Sequence, residues 1–117
     1  MSQKFANISV VFPALNEEKN IANCLNALLN QKTKPKQIIF VNHNSTDKTL
    51  EIANTYKPIF KQQNIEYIVH TEKKKGIANA RNSGFALATQ PIIASTDSDC
   101  IPQKNWIESI ATYFKKK

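Results

Sequence analysis

The chain is 117 residues long, enough for one hydrophobic core and short for an enzyme that must hold two substrates, so it is read as a single domain over residues 1–117. Hydrophobic residues make up 41% and charged residues 21%, the balance of a soluble globular protein. The net charge of +7 suits nucleic acid, acidic lipid or a phosphorylated ligand, but Lys73–Lys75 and Lys115–Lys117 are short runs without interleaved aromatics, so no nucleic-acid partner is expected.

No apolar run approaches the length of a membrane span, and the N-terminus lacks the apolar core of a signal peptide. A cytoplasmic location is expected, with peripheral attachment to the inner face of a membrane as the alternative. Cys24 and Cys100 are isolated, with no C-x-x-C pair and no histidines at zinc spacing, and read as reduced thiols.

In chain order, Asn7–Ala14 is β-branched and aromatic and predicts a buried strand that stops near Pro13. Leu15–Gln31 predicts a helix, since Ile21, Leu25, Leu28 and Leu29 share one face, with Asn16 as N-cap and Glu17 and Glu18 in the first turn. Lys32–Pro35 reads as a linker and Gln37–Val41 as a second buried strand. Six polar residues, Asn42–Asp47, then precede a helical pattern of Leu50, Ala53 and Tyr56, with Ser45, Thr46 or Asp47 as its cap. Ile65–Val69 is a third strand. After the lysine loop and Gly76, Ile77–Ala88 reads as a helix packing through Ile77, Ala80, Gly84 and Leu87. Pro91–Thr96 gives a fourth strand, buried at Ile92, Ile93 and Ala94, and Lys104–Phe114 a last helix with Ile107, Ile110, Ala111 and Phe114 on its apolar face.

Strand and helix alternate four times, which predicts an α/β fold: a doubly wound, mainly parallel sheet with helices on both faces. Ligands of such sheets bind outside the carboxyl ends of the strands, where strand order reverses. The polar clusters Asn16–Glu17, Asn42–Asp47 and Asp97–Asp99 follow three of the four strands and should converge there. Glycine-rich phosphate loops are missing, because Gly76 and Gly84 are the only glycines.

The sharpest pattern is Thr96-Asp97-Ser98-Asp99. Two carboxylates two residues apart share a side if the chain stays extended, and paired hard oxygen ligands suit Mg²⁺ or Mn²⁺. An Asp-Ser-Asp also makes turns and caps helices. An EF-hand loop starting at Asp97 fails, since Ile101 offers no side-chain oxygen and Pro102 stands where that loop needs glycine.

PALNEE at Pro13–Glu18, IIFVNHNSTDKT at Ile38–Thr49, GIANARNSGFALA at Gly76–Ala88 and TDSD at Thr96–Asp99, followed by Pro102, resemble in order and spacing the signatures of family-2 glycosyltransferases. The resemblance implies the nucleotide-sugar-binding half of a GT-A fold and transfer of a sugar from a nucleotide-diphosphate donor, with inversion. It implies that Pro13, Ala14, Asn16 and Glu17, with Asn42, His43, Asn44 and Ser45, line the base and ribose pocket. Arg81 would lie near the nucleotide, or else form a helix-surface ion pair. Asp97 would approach the ribose or sugar and share with Asp99 the binding of Mn²⁺ or Mg²⁺.

The family usually has acids where this chain has Asn42 and His43, which leaves the base open; His43 is read as a base contact or as a solvent-facing loop residue. The acceptor site and catalytic base of the family follow the matched stretch, so the acceptor-binding half is expected to be absent; Glu108 reads as a surface residue rather than a base. A non-catalytic nucleotide-sugar-binding or assembly module, forming a homo-oligomer through the open edge of the fourth strand, is the alternative. A nucleotidyltransferase would carry a glycine-rich loop that Pro13–Glu17 lacks.

Overall fold

The structure, a computed structural model, describes residues 4–115, so Lys116 and Lys117 of the C-terminal lysine run lie outside the described residues. The elements in order are β1 (Lys4–Ala14), α1 (Ile21–Leu29), β2 (Thr33–Asn42), α2 (Thr49–Thr55), α3 (Lys57–Gln62), β3 (Glu66–Thr71), α4 (Ile77–Leu87), β4 (Ile92–Ser95) and α5 (Trp106–Lys115). All strands pair in parallel, in the order β3-β2-β1-β4. Chain order therefore reverses between β1 and β4, the position where a doubly wound sheet opens a crevice.

Side-chain alternation along β1 and β2 builds two cores. Ile8, Val10 and Phe12 of β1, with Ile38 and Phe40 of β2, face Ile21, Leu25 and Leu28 of α1, Ala53 of α2, Phe60 of α3 and Ile107 of α5. The intervening residues Val11, Ile39 and Val41 face the other way and pack on Ala80 of α4. Helices thus cover both faces, α4 alone on the second among the described helices. There Gly84 lets the helix backbone approach so closely that an added Cβ would lie 2.5 Å from Val11 Cγ1 and 2.9 Å from Val41 Cγ2.

Polar residues are also buried between sheet and α4. Ser9 and Gln37 are partners across β1 and β2, and the Ser9 hydroxyl donates to Gln37 Oε1, while Gln37 Nε2 donates to Glu66 of β3 at 3.0 Å. The same Oε1 accepts the Thr89 N–H at 2.9 Å, and Ser9 Oγ accepts that of Gln90 at 3.1 Å. This row ties the α4–β4 connection to the sheet and satisfies backbone groups that burial would otherwise leave unpaired.

Several boundaries differ from expectation. The first helix starts at Ile21, not Leu15, because Asn16 takes a left-handed backbone (φ 54°) and bonds to another loop instead of capping its own helix. Lys32–Pro35 is largely strand: β2 begins at Thr33, and Pro35 pairs with Ala6 beside a register shift that spares the ladder a missing N–H. Lys57–Gln62 forms an extra helix, α3, with Pro58 in its first turn. Strand β4 is not fully buried: Ile93 is 46% exposed, because β4 is an edge strand of the described sheet and only Ala94 is enclosed. Ile77 and Phe114, expected on packing faces, are half-exposed.

Candidate functional site

The three polar clusters meet at the C-terminal ends of β1, β2 and β4. Ala14 closes β1 against Asn42, and its carbonyl takes the His43 N–H at 2.8 Å. Beyond that point the ladder gives way to side-chain bonding. The Asn16 N–H donates to Ser45 Oγ at 3.0 Å, and Asn16 Oδ1 accepts the Thr46 N–H at 2.8 Å and that of Asp47 at 3.3 Å. The Glu17 N–H donates to Thr49 Oγ1 at 2.8 Å, and the Glu18 N–H to Asp47 Oδ2 at 3.2 Å. The loop after β1 and the loop after β2 thereby form one surface.

Asn42 is 2% exposed, and both ends of its amide are engaged: Oδ1 accepts the Ser45 N–H at 3.1 Å and Nδ2 donates to Thr71 Oγ1 at 3.3 Å. His43 does not face solvent; it is 8% exposed, and its Nε2 lies 2.8 Å from the Lys74 carbonyl. A carbonyl can only accept, so Nε2 donates to it, while Nδ1 is buried and without a partner among the described residues. Asn44 is exposed at φ 54°, a backbone asparagine tolerates. Pro13 is buried in β1, past the end of β4 pairing at Val11, where its lack of an N–H removes no bond to β4.

Asp97 and Asp99 are not on an extended strand. β4 ends at Ser95, and the Cys100 N–H closes a turn on the Asp97 carbonyl at 3.0 Å. The turn still gathers the carboxylates: an oxygen of each and the Cys100 thiol lie within 4.8 Å of one another, all on exposed residues. Arg81 of α4 donates to Asp97 Oδ1 at 2.8 Å, to the Thr96 carbonyl at 3.4 Å and to the Ser95 hydroxyl. Its ion pair is therefore made with the site itself. The donor set, two carboxylates opening on solvent with one oxygen steadied by a guanidinium, fits a divalent cation that takes its other ligands from water and phosphate.

Two neighbouring groups are tuned by these contacts. Asp47 sits below its ordinary carboxylate value: desolvation, the largest single influence, raises it, but hydrogen bonds from the Thr49 hydroxyl and N–H and from the Glu18 N–H together outweigh that. Cys24, buried under the turn with its Sγ 3.8 Å from the Asp97 carbonyl, has its thiol pushed up to about 12, first by burial and then by the nearby Cys100, Asp99 and Asp97 charges. Both cysteines are free.

The expected residues are thus gathered in one place, joined by Asp47, read from the sequence only as a helix cap in the second polar cluster, and by Thr49 and Ser98, which had no site role there. The Ser98 hydroxyl donates to Glu17 Oε2 at 2.9 Å. Its only sequence signal was a small hydroxyl residue between two aspartates. Glu108 is remote from this edge: it is exposed on α5 and lines a groove with Lys4, Thr33 and Ile92, at the opposite ends of the strands. No helix among the described residues is long and apolar enough to cross a membrane.

Residues 9–117 match the family model described as Glycosyl transferase family 2. Glycosyltransferase AglE of Haloferax volcanii is 35% identical over 111 residues, covering 92% of this chain and 35% of AglE. The crystal structure of S. aureus TarS 1-349 in complex with UDP-GlcNAc superposes with a TM-score of 0.80 at 27% identity, covering 93% of this chain and 31% of that one. Mannosyltransferase PcManGT from Pyrobaculum calidifontis, in complex with GDP-Man and Mn²⁺, has a TM-score of 0.75 at 23% identity over 93% of this chain and 31% of its own, a likeness of fold. The chain spans about a third of the length of the curated relatives it matches.

Proposed function

Because this chain belongs to glycosyl transferase family 2, we propose that it forms the donor-binding part of a nucleotide-sugar-dependent transferase. A nucleoside diphosphate sugar lies across the C-terminal ends of β1, β2 and β4, with Mn²⁺ or Mg²⁺ on Asp97 and Asp99. The observation that carries this reading is the joining of three strand-end clusters into one edge at the point of strand reversal, with Arg81 on Asp97. Support also comes from the neighbours, since TarS is described in complex with UDP-GlcNAc and PcManGT with GDP-Man and Mn²⁺.

Pro13, Ala14, Asn16 and the backbone of Glu17 form one wall of the donor pocket and Asn42–Ser45 the other, while the Glu17 carboxylate bonds to Ser98. When bound, the divalent ion neutralises charge that develops on the leaving nucleoside diphosphate. Arg81 holds Asp97 in orientation and adds positive charge beside the diphosphate. Transfer proceeds with inversion, and the base that takes the acceptor's proton is assigned to the part of the longer relatives that this chain does not span.

The test is calorimetric titration of UDP, GDP and their sugar conjugates into the chain, with Mn²⁺ and with chelator, repeated on Asp99→Asn. Metal-dependent binding of one nucleotide, lost in the variant, is expected. A folded chain that binds none of them overturns the reading. A second reading, an assembly module that pairs through β4, is favoured by the exposure of Ile93 on that edge. It predicts a mass that rises with concentration in light scattering, and a strict monomer removes it.

A further inference from the structure

Glu17 stands in the wall of the proposed donor pocket, and its carboxylate is bonded to the turn after β4. Its Oε2 accepts the Ser98 hydroxyl at 2.9 Å, across 81 positions of sequence, and its Oε1 lies 3.5 Å from Asn20 Nδ2. Its N–H meanwhile donates to Thr49 Oγ1 at 2.8 Å, and that hydroxyl donates in turn to Asp47. One residue is thus bonded to the loop after β2 through its backbone and to the turn after β4 through its side chain.

Ser98 is 4% exposed while Asp97 and Asp99 on either side are exposed, so its hydroxyl points inward and the two carboxylates outward. The turn has a second inner tether in the Cys24 Sγ–Asp97 carbonyl contact at 3.8 Å and an outer one in Arg81. Neither of those reaches the loops after β1 and β2.

We propose, resting on the donor site assigned above, that the Ser98–Glu17 hydrogen bond is a positioning contact that couples the nucleotide-binding loops to the metal-binding turn. A hydroxyl donating to a carboxylate in a partly buried place is a charge-assisted bond, stronger and more directional than a neutral one. Nucleotide seated between the loops after β1 and β2 fixes Glu17, Glu17 fixes Ser98, and Ser98 sets the separation of Asp97 and Asp99. Metal bound first acts along the same path in reverse, as linkage requires. Ser98 and Glu17 touch neither reacting atom nor metal; they act through the residues they hold.

The measurement is the ratio of UDP and GDP affinities with and without saturating Mn²⁺, together with Mn²⁺ affinity in the absence of nucleotide by electron paramagnetic resonance. Ser98→Ala should cut the Mn²⁺-dependent gain in nucleotide affinity about ten- to a hundredfold, the scale of one charge-assisted bond, with Mn²⁺ affinity of the nucleotide-free chain within about twofold of wild type. Glu17→Ala should give the same loss. The double variant should lose no more than either single one, because both remove one bond. Ser98→Thr, which keeps the hydroxyl, should restore the coupling.

An unchanged gain in Ser98→Ala and Glu17→Ala overturns the coupling and leaves the donor site standing. Equal loss of Mn²⁺ binding in the nucleotide-free variants overturns it too, because the contact would then build the metal turn itself. Absence of nucleotide binding by wild type overturns the donor-site reading and this inference with it. If Ser98→Ala does not fold, the comparison runs on Glu17→Ala and Glu17→Gln, and the amide, which retains an acceptor oxygen, should fall between alanine and wild type.

Discussion

Gly84→Ala tests the packing that sets Arg81 over the site, because two effects of opposite sign compete there. On helix propensity alone alanine should stabilise α4 by about 1 kcal/mol. Against that, the new Cβ would sit 2.5 Å from Val11 Cγ1 and 2.9 Å from Val41 Cγ2, where carbon atoms rest at about 3.5–4.0 Å. Either α4 lifts by about 1 Å or the valines move. Both valines are fully buried, stiff at χ1 and enclosed by Ile39 and Ala80.

Overpacking of this kind costs about 1–3 kcal/mol, and two contacts this short place it near ~3. The net expectation is a loss of about 2 kcal/mol, seen by circular dichroism as a urea midpoint lower by roughly 1 M for a slope near 2 kcal/mol per M. Arg81 lies one turn before Gly84, so lifting the helix also lengthens its 2.8 Å pair with Asp97. A variant as stable as wild type, or more so, would refute the close approach of α4 to the sheet.

Gln37→Leu should cost about 3 kcal/mol in the same assay, because it strands the Ser9 hydroxyl and the Thr89 N–H that both use Oε1; a loss under about 1 kcal/mol removes that account. With a thiol-reactive dye at pH 8 the exposed Cys100 should react promptly and Cys24 only on unfolding, since a thiol pushed up to about 12 is ionised in about one molecule in ten thousand; prompt reaction in Cys100→Ser contradicts this. Asp47 has its folded value below the ordinary 3.8, so its stabilising contribution is complete above that pH and lost as pH falls through the folded value. Asp47→Asn should accordingly flatten the acid limb of a melting-temperature profile below pH 3.8, and an unchanged limb counts against the bonds from Thr49 and Glu18.

Where periodicity and burial coincide, the sequence was legible. Ile21, Leu25 and Leu28 lie on the packed face of α1, and Ile8, Val10 and Phe12 alternate inward from β1 as their pattern required. Misreadings arose where tertiary context overrode local signal. Ile92-Ile93-Ala94 is as apolar as a central strand, yet its place at the sheet edge leaves Ile93 outside, and apolarity carries no information about position in a sheet. Asn16 has the residue type of a helix cap, but its side chain found three groups 30 positions away in the loop after β2, and the first turn of the expected helix gave way to that loop. Asp97 and Asp99 came together as read from spacing, though through a turn rather than a pleat.

The departure at Asn42 and His43 can be followed one step further into the electrostatics of the site. With both ends of its amide bonded inside the loop, Asn42 braces Ser45 against Thr71 rather than presenting a free edge to a base. A carboxylate there would accept the Ser45 N–H equally well, and the Thr71 hydroxyl would turn to donate to it, so the loop geometry does not require the amide. What the amide changes is charge. Asn42 and His43, in place of the acids usual in the family, put no carboxylate at positions 42 and 43, and the Lys73–Lys75 loop adjoins them through the bond between His43 and the Lys74 carbonyl. The carboxylates of that wall, Glu17, Glu18 and Asp47, each accept hydrogen bonds, from Ser98, the Lys48 N–H and Thr49, while Asp97 and Asp99 stand exposed at the turn after β4. In the proposed donor site a divalent ion would sit on that turn, and Asn42 would leave the wall facing it one negative charge poorer than an aspartate there would, which favours a diphosphate lying between the two.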